Sequence, residues 1–139
     1  MAKKKKRKQK NPGQVIIPVG HPNPPEPHEV DTAMILARHF QCTVEFLVPV
    51  DDYKRKSADI VMLGSEWEIK SPTGASRSTI EKTFRRASKQ AKYVVVDSRR
   101  TPLDDNEIKK SIFRETARHS AIKRVILINK LSEVVEMVL

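Results

Sequence analysis

Residues 58–70 are ADIVMLGSEWEIK, and this stretch decides the fold. Two short apolar runs flank Gly64-Ser65, and a glycine at the first central position suits a two-residue type II′ turn. The stretch therefore predicts a tight β-hairpin in which Val61 lies opposite Glu68.

The predicted hairpin has one charged and one apolar face. Because side chains alternate along a strand, Asp59, Glu68 and Lys70 share the charged face, with Asp59 opposite Lys70. Two carboxylates within reach of each other can bind a hard divalent cation, and an ammonium group beside them can orient a water or neutralise charge on a phosphate. The hairpin alone is equally consistent with a solvated face that carries a cross-strand ion pair. The apolar face is expected to pack into a core through Ile60, Met62, Trp67 and Ile69.

Length and composition restrict the class of protein. The chain has 139 residues, of which 38% are hydrophobic and 32% are charged, as in a single soluble domain with a hydrophobic core. No apolar run approaches the ~18 residues of a membrane span, and no apolar stretch follows the basic N-terminus as in a signal peptide. The single cysteine can form no internal disulfide. These features predict a protein that acts in the cytoplasm without a membrane partner.

The N-terminal region carries most of the net charge of +10. Residues 1–10 hold seven positive charges and no acids, which leaves +3 for the rest, and residues 11–27 hold six of the nine prolines. We therefore expect residues 1–27 to be a basic, Pro-rich, disordered or extended segment, with a short strand at 15–17. The basic tail would bind nucleic acid non-specifically or serve only for solubility. Residues 28–139 are expected to form a single domain.

Apolar spacing and turn residues predict the other elements. Helices are expected over three ranges, 28–40, 78–92 and 104–119, the second opened by a capping box of Ser78 and Glu81. Strands besides the hairpin are expected over four ranges: 43–48, 93–97, 124–129 and 133–139. This order predicts an α/β fold with a mixed β-sheet flanked by helices and the hairpin near the centre of the sheet.

Several residues carry a resemblance to known nucleases. Glu29 in the first helix, Asp59, and the run Glu68-Ile69-Lys70 resemble the PD-(D/E)XK nuclease superfamily, whose core order is α-β-β-β-α-β. The longer run 67–74, followed by a basic helix and a strand, is similar to the C-terminal tRNase toxin domains of contact-dependent growth-inhibition proteins. The resemblance covers about residues 18–130. It implies a restriction-endonuclease-like core with an added helix and two C-terminal strands.

The resemblance also implies roles for individual residues. Glu29, Asp59, Glu68 and Lys70 would be the catalytic residues. Asp59 and Glu68 would bind the metal with the backbone carbonyl of Ile69, and Glu29 would complete the site directly or through a water. Lys70 would position the attacking water or the phosphate. Mg²⁺ is the expected ion, with Mn²⁺ or Zn²⁺ as alternatives.

The second predicted helix carries basic residues at spacings of three and four: Lys82, Arg85, Arg86 and Lys89. Such a row is either a solvated helix face or a surface that binds phosphates. Residues 71–100 have a net charge of +6, and this concentration after the candidate site favours contact with a nucleic-acid backbone. Three polar residues are candidates for supporting the site: Ser71, Thr73 and Gln90.

Together the residues and the resemblance predict a metal-dependent endonuclease that hydrolyses phosphodiester bonds in nucleic acid. The resemblance favours tRNA as substrate and implies a cognate immunity protein as partner. Two alternatives stay open. One is a DNA endonuclease or Holliday-junction-resolvase-like enzyme of the same fold, and the other is a non-catalytic basic nucleic-acid-binding module. The sequence leaves the oligomeric state open.

Overall fold

The computed structural model describes residues 13–48 and 58–139, which form a mixed α/β fold, as predicted. The strands are β1 (Gln14–Ile16), β2 (Thr43–Phe46), β3 (Ile60–Met62), β4 (Ser65–Lys70), β5 (Tyr93–Asp97), β6 (Arg124–Ile128) and β7 (Val134–Met137). The helices are α1 (Pro27–Phe40), α2 (Thr79–Ala87) and α3 (Asp105–Arg118), with a 3₁₀ turn at Ser98–Arg100. None of these helices is long and apolar enough to cross a membrane.

The seven strands form one sheet in which the spatial order equals the order along the chain. β1 and β2 are parallel, whereas β2, β3 and β4 form an antiparallel meander. β4, β5 and β6 are parallel, and β7 returns antiparallel to β6. β4 is therefore the middle strand, and the predicted central position of the hairpin is confirmed.

Each face of the sheet packs against helices. On one face, Leu36 of α1 joins a buried cluster with the apolar hairpin residues Ile60, Met62, Trp67 and Ile69. On the other face, Phe84 of α2 and Ile112 of α3 pack on a second cluster that includes Val94, Val96 and Leu127. Because residues alternate along β4, the side chains of Glu68 and Lys70 lie on the face covered by α2.

The hairpin turns at Leu63-Gly64, so the predicted turn at Gly64-Ser65 is wrong. Both turn residues have positive φ angles, 55° and 75°, as a type I′ turn requires. Val61 consequently pairs with Glu66 instead of Glu68. The shift in register is two residues. An even shift changes the partners across the hairpin but keeps every side chain on its predicted face.

Several predicted boundaries also differ, most of them by one or two residues. β1 forms within one residue of the strand expected at 15–17, but it pairs with β2, so the N-terminal segment expected over 1–27 supplies the first strand of the sheet. Residues 1–12 of that segment lie outside the described residues. α2 ends at Ala87, before the predicted 92, and the side chain of Ser78 makes no capping hydrogen bond because its hydroxyl pairs with that of Ser76 at 2.8 Å. The cap of α3 does form, since Asp104 Oδ1 accepts from the N–H of Glu107 at 2.8 Å.

An ion cluster around the buried Asp97 ties the end of β5 to α1. Asp97 is 2% exposed, and its carboxylate accepts from the guanidinium of Arg99 at 2.8 Å and from the hydroxyl of Thr32 at 2.6 Å. Burial acts to raise the pKa of the Asp97 carboxyl, but the hydrogen bonds from Arg99 and Thr32 outweigh it and hold the pKa below its ordinary value. Arg99 also donates to Asp31 at 2.8 Å, so one guanidinium joins the helix to the sheet.

We predict that Leu63→Asn stabilises the fold. Leucine in the left-handed region is unfavourable by about 1 kcal/mol, whereas asparagine tolerates it and Asn-Gly is a preferred type I′ pair. The free energy of unfolding in urea should rise by about 0.5 kcal/mol, since part of the gain is offset by the loss of the half-exposed leucine. Gly64→Ala, at φ 75°, should lower it. Equal destabilisation by both variants would contradict the turn assignment.

We predict that Arg99→Ala lowers the free energy of unfolding by about 3 kcal/mol, because it leaves Asp97 buried without its charge partner. Asp31→Ala is the matched control. It breaks the other ion pair of the same guanidinium at a carboxylate whose side chain is 60% exposed, so the loss should stay below about 1 kcal/mol. Thermal or urea unfolding measures both variants, and similar losses would show that Asp97 does not depend on Arg99.

Candidate active site

The end of the hairpin fixes Asp59 beside β4. β3 begins at Ile60 whereas β4 continues to Lys70, so the edge of β4 beyond β3 needs another hydrogen-bond partner. Asp59 supplies it: its Oδ2 accepts from the N–H of Ile69 at 2.7 Å, and its own N–H donates to the carbonyl of Trp67 at 3.0 Å. The register of the hairpin, continued by one residue, places Asp59 opposite Glu68.

Glu68 is a buried carboxylate with an incomplete set of partners. It is 2% exposed, and its Oε2 lies 3.0 Å from Lys70 Nζ. Its Oε1 is buried and has no hydrogen-bond partner among the described residues. Burial raises the pKa of the Glu68 carboxyl to about 8, and the adjacent Asp59 carboxyl adds to the rise while Lys70 opposes it. One ammonium group therefore offsets two neighbouring carboxylates only in part.

This donor set fits a hard cation. The orphaned Oε1 of Glu68 and the carboxylate of Asp59 are oxygen ligands without enough positive charge nearby. The N–H of Ile69 points to the edge of β4 where Asp59 lies, and the carbonyl of a strand residue points to the same edge as its N–H. Within residues 13–48 and 58–139, no group of three or more His, Cys, Asp or Glu side chains is arranged to hold a metal. Two carboxylates plus waters suit Mg²⁺ better than Zn²⁺.

The structure does not bring Glu29 into this group. Glu29 lies in the first turn of α1, and its Oε1 accepts from the backbone N–H of Glu26 at 3.0 Å, so the side chain caps the helix. No hydrogen bond or ion pair joins Glu29 to Asp59, Glu68 or Lys70 in the described part of the chain. The role expected for Glu29 in catalysis stays a prediction, and the geometry supports its capping role.

A cavity of about 490 Å³ opens next to Lys70. One wall is the loop after β4, including the candidate support residues Ser71 and Thr73, and the other is a side of α2. Of the four basic residues predicted to bind nucleic acid, Lys82 and Arg86 line the cavity, whereas Arg85 and Lys89 do not. Arg85 is instead paired with Glu81 at 3.0 Å.

Gln90 follows α2 and lies on the other side of the hairpin end. It lines a smaller cavity of about 270 Å³ with Ala58, the neighbour of Asp59, and with Glu66 and Tyr93. The Oε1 atom of Gln90 is buried and lacks a hydrogen-bond partner within the described ranges. Gln90 and Ala58 thus line one cavity, and no hydrogen bond joins Gln90 to Asp59 or Glu68 among the described residues.

Sequence reasoning missed how the loop and α2 are arranged. The hydroxyl of Thr101 donates to the carbonyl of Gly74 at 2.6 Å, which anchors the loop, and no sequence signal links these two distant residues. The sequence did contain a signal that separates Arg85 from the cavity-lining basic residues. Glu81 and Arg85 are four residues apart, which is the spacing of a helical ion pair, so Arg85 could have been assigned to the solvent side.

Comparisons with known proteins found one matching family model and one solved structure of similar fold. Residues 56–134 match the contact-dependent growth inhibition CdiA C-terminal domain family. The fold is similar to that of a chain in the CdiA-CT/CdiI toxin and immunity complex from Burkholderia pseudomallei, with a TM-score of 0.67 and 20% sequence identity over 90% of this chain and 98% of that chain. A comparison with curated proteins found no match. At this identity the structural similarity supports the fold alone.

The raised pKa of Glu68 predicts a pH-dependent stability. Between its ordinary value of 4.5 and the folded value of about 8, the folded state keeps a proton that the unfolded state releases. Without metal, the free energy of unfolding should therefore fall as pH rises through this range, by at most about 1.4 kcal/mol per pH unit. Glu68→Gln cannot ionise and should lose this part of the slope.

Urea unfolding at pH 5 to 8 in EDTA measures the slope. Glu66→Gln is the matched control, because Glu66 is an exposed acid on the same face of the same strand, and its slope should equal that of the wild type. Millimolar Mg²⁺ should restore the stability of the wild type at pH 8 and leave Glu68→Gln unchanged. Identical slopes for the wild type and Glu68→Gln would contradict the assignment.

Proposed function

Because the chain belongs to the contact-dependent growth inhibition CdiA C-terminal domain family, we propose that it is a toxin domain that acts as a metal-dependent endonuclease. The observation that carries the proposal is the group formed by Asp59, Glu68 and Lys70 at the middle strand of the sheet, in which a buried carboxylate oxygen lacks a partner. We interpret this group as a site of the PD-(D/E)XK type.

Each residue of the group has a distinct role in the proposed reaction. Asp59 and Glu68, with the carbonyl of Ile69, hold the cation, Mg²⁺ by preference. A cation bound there would activate a water and neutralise charge on the phosphate. The N–H of Ile69 holds the Asp59 carboxylate in one orientation, which lowers the cost of ordering it when a cation binds. The ammonium of Lys70 lies between Glu68 and the cavity, where it would orient the attacking water or offset charge on the phosphate.

The proposed substrate is nucleic acid, with tRNA favoured over DNA. The positive wall of α2 beside Lys70 supports an anionic substrate. The preference for tRNA rests on the similarity of residues 67–97 to tRNase toxin domains. The solved structure of similar fold is a complex of a toxin with an immunity protein, and on this basis we propose that a cognate immunity protein binds this chain too.

We predict that the purified protein cleaves total tRNA in Mg²⁺ and that EDTA abolishes the cleavage. Glu68→Gln removes a metal ligand and Lys70→Ala removes the ammonium group, so each should lower the cleavage rate by about 100-fold or more. Glu66→Gln is the control on the same strand and should cleave at the wild-type rate. Rates are read from gels, with thermal unfolding to show that the variants are folded.

The same assay distinguishes the alternatives. Cleavage of plasmid DNA or four-way junctions but not of tRNA would show that the substrate is DNA, and the proposed catalytic residues would stay the same. Binding of nucleic acid without cleavage, in Mg²⁺ or Mn²⁺, would support a non-catalytic binding module. Folded Glu68→Gln and Lys70→Ala variants that cleave at the wild-type rate would show that the catalytic site lies elsewhere.

A further inference from the structure

The cavity beside Lys70 has an unusually one-sided charge. Its lining contains three cationic side chains, Lys70, Lys82 and Arg86, and no carboxylate. Lys82 and Arg86 form no ion pair within residues 13–48 and 58–139. Lys70 is paired with Glu68 at 3.0 Å, so Lys82 and Arg86 carry the uncompensated charge of the lining, and an anion bound in the cavity would offset it. The lining is therefore complementary to a compact anion.

The cavity also offers neutral hydrogen-bond donors. The hydroxyl of Ser71 is buried and has no partner among the described residues, and the hydroxyl of Thr79 also makes no hydrogen bond there. Thr83 is different, because its hydroxyl already donates to the carbonyl of Thr79 at 2.8 Å. The cavity thus combines charged donors with the unpaired hydroxyl of Thr79, a donor set that suits phosphate oxygens, and the unpaired hydroxyl of Ser71 is buried in the same lining.

The shape of the cavity is fixed by contacts behind it. The loop wall is held through the bond from Thr101 to Gly74. Gly74 also lies so close to α2 that a Cβ atom added to it would come within 2.6 Å of Thr79 Oγ1. The loop and the helix therefore face each other at a set distance that depends on the absence of a side chain at position 74.

We propose that this cavity is a phosphate-binding subsite that holds a backbone phosphate next to the one being cleaved. Its assignment to a nucleic-acid strand rests on the proposed function, whereas its affinity for a phosphate group follows from the lining alone. The distinction between α2 residues is specific: Lys82 and Arg86 contact the phosphate. Arg85 is turned away by its ion pair with Glu81, and Lys89 lies outside the lining.

The test is a titration of the full chain with inorganic phosphate in EDTA at low salt. Binding is measured from the NMR shifts of the backbone amides of residues 71–86. Arg86→Ala and Lys82→Ala should each weaken phosphate binding by about tenfold, the loss of one charge-assisted hydrogen bond. Arg85→Ala and Lys89→Ala are matched controls that remove the same charge from the same helix region. The affinity of these two variants for phosphate should stay within about twofold of that of the wild type, because solvent screens exposed charges.

A second variant probes the shape of the cavity. Gly74→Ala keeps all the charges but brings a methyl group against Thr79, and it should weaken phosphate binding by a similar factor while the protein stays folded. Equal losses in Arg85→Ala and Arg86→Ala would overturn the proposal, because they would show a diffuse field instead of a subsite. Shifts confined to residues outside 71–86 would overturn it as well.

The test of the phosphate subsite can fail or succeed independently of the test of the proposed nuclease function. Glu68→Gln should bind phosphate at least as well as the wild type, since it frees Lys70 from its ion pair. Selective phosphate binding in a protein that cleaves no nucleic acid would support the subsite and reject the nuclease. Cleavage of nucleic acid by a protein whose phosphate affinity is the same in all four α2 variants would reject the subsite and support the nuclease.

Discussion

Two carboxylates lie side by side at the middle of the sheet, and a single ammonium group offsets them. A buried carboxylate beside a second one, as Glu68 is beside Asp59, raises the free energy of the folded state unless a proton or a cation compensates. A core strand in an ordinary sheet would carry an apolar side chain at position 68. The surrounding packing must therefore hold Glu68 in place against its own electrostatics. The two apolar clusters on either face of β4 provide that stability.

The faces of the hairpin could be predicted from the sequence because strand geometry has a period of two. The turn was placed one residue late, yet Glu68 and Lys70 stayed on the charged face and Trp67 and Ile69 in the core. A shift of one residue in the strand pairing would have exchanged the charged and the apolar face. Alternation along the strand is local information, which a single sequence contains. The partner across the hairpin depends on the turn, where Leu63 adopts a conformation that its residue type disfavours.

Features that depend on contacts between distant segments could not be predicted in the same way. From the sequence, the Glu29 carboxylate could either cap its helix or reach the site. Only the position of α1 relative to β4 decides between these two roles. Ser78 has the sequence of a capping residue, but its hydroxyl is taken by Ser76. The anchoring of Gly74 by Thr101 joins two loops that share no sequence pattern. Tertiary packing decides the outcome for Glu29 and for the Thr101–Gly74 contact, whereas the Ser76–Ser78 bond is a local alternative to the helix cap.

Lys70 links the carboxylate pair to the cavity, and its position makes the two electrostatically dependent. Its ammonium group lies 3.0 Å from Glu68, although its side chain also lines the cationic cavity. A positive charge beside Glu68 and Asp59 would weaken that attraction and make Lys70 available to an anion on the other side. An anion in the cavity would in turn hold Lys70 away from Glu68 and leave the carboxylates more in need of a cation. Binding of cation and anion at this strand end should therefore be mutually favourable, because one lysine serves both sites.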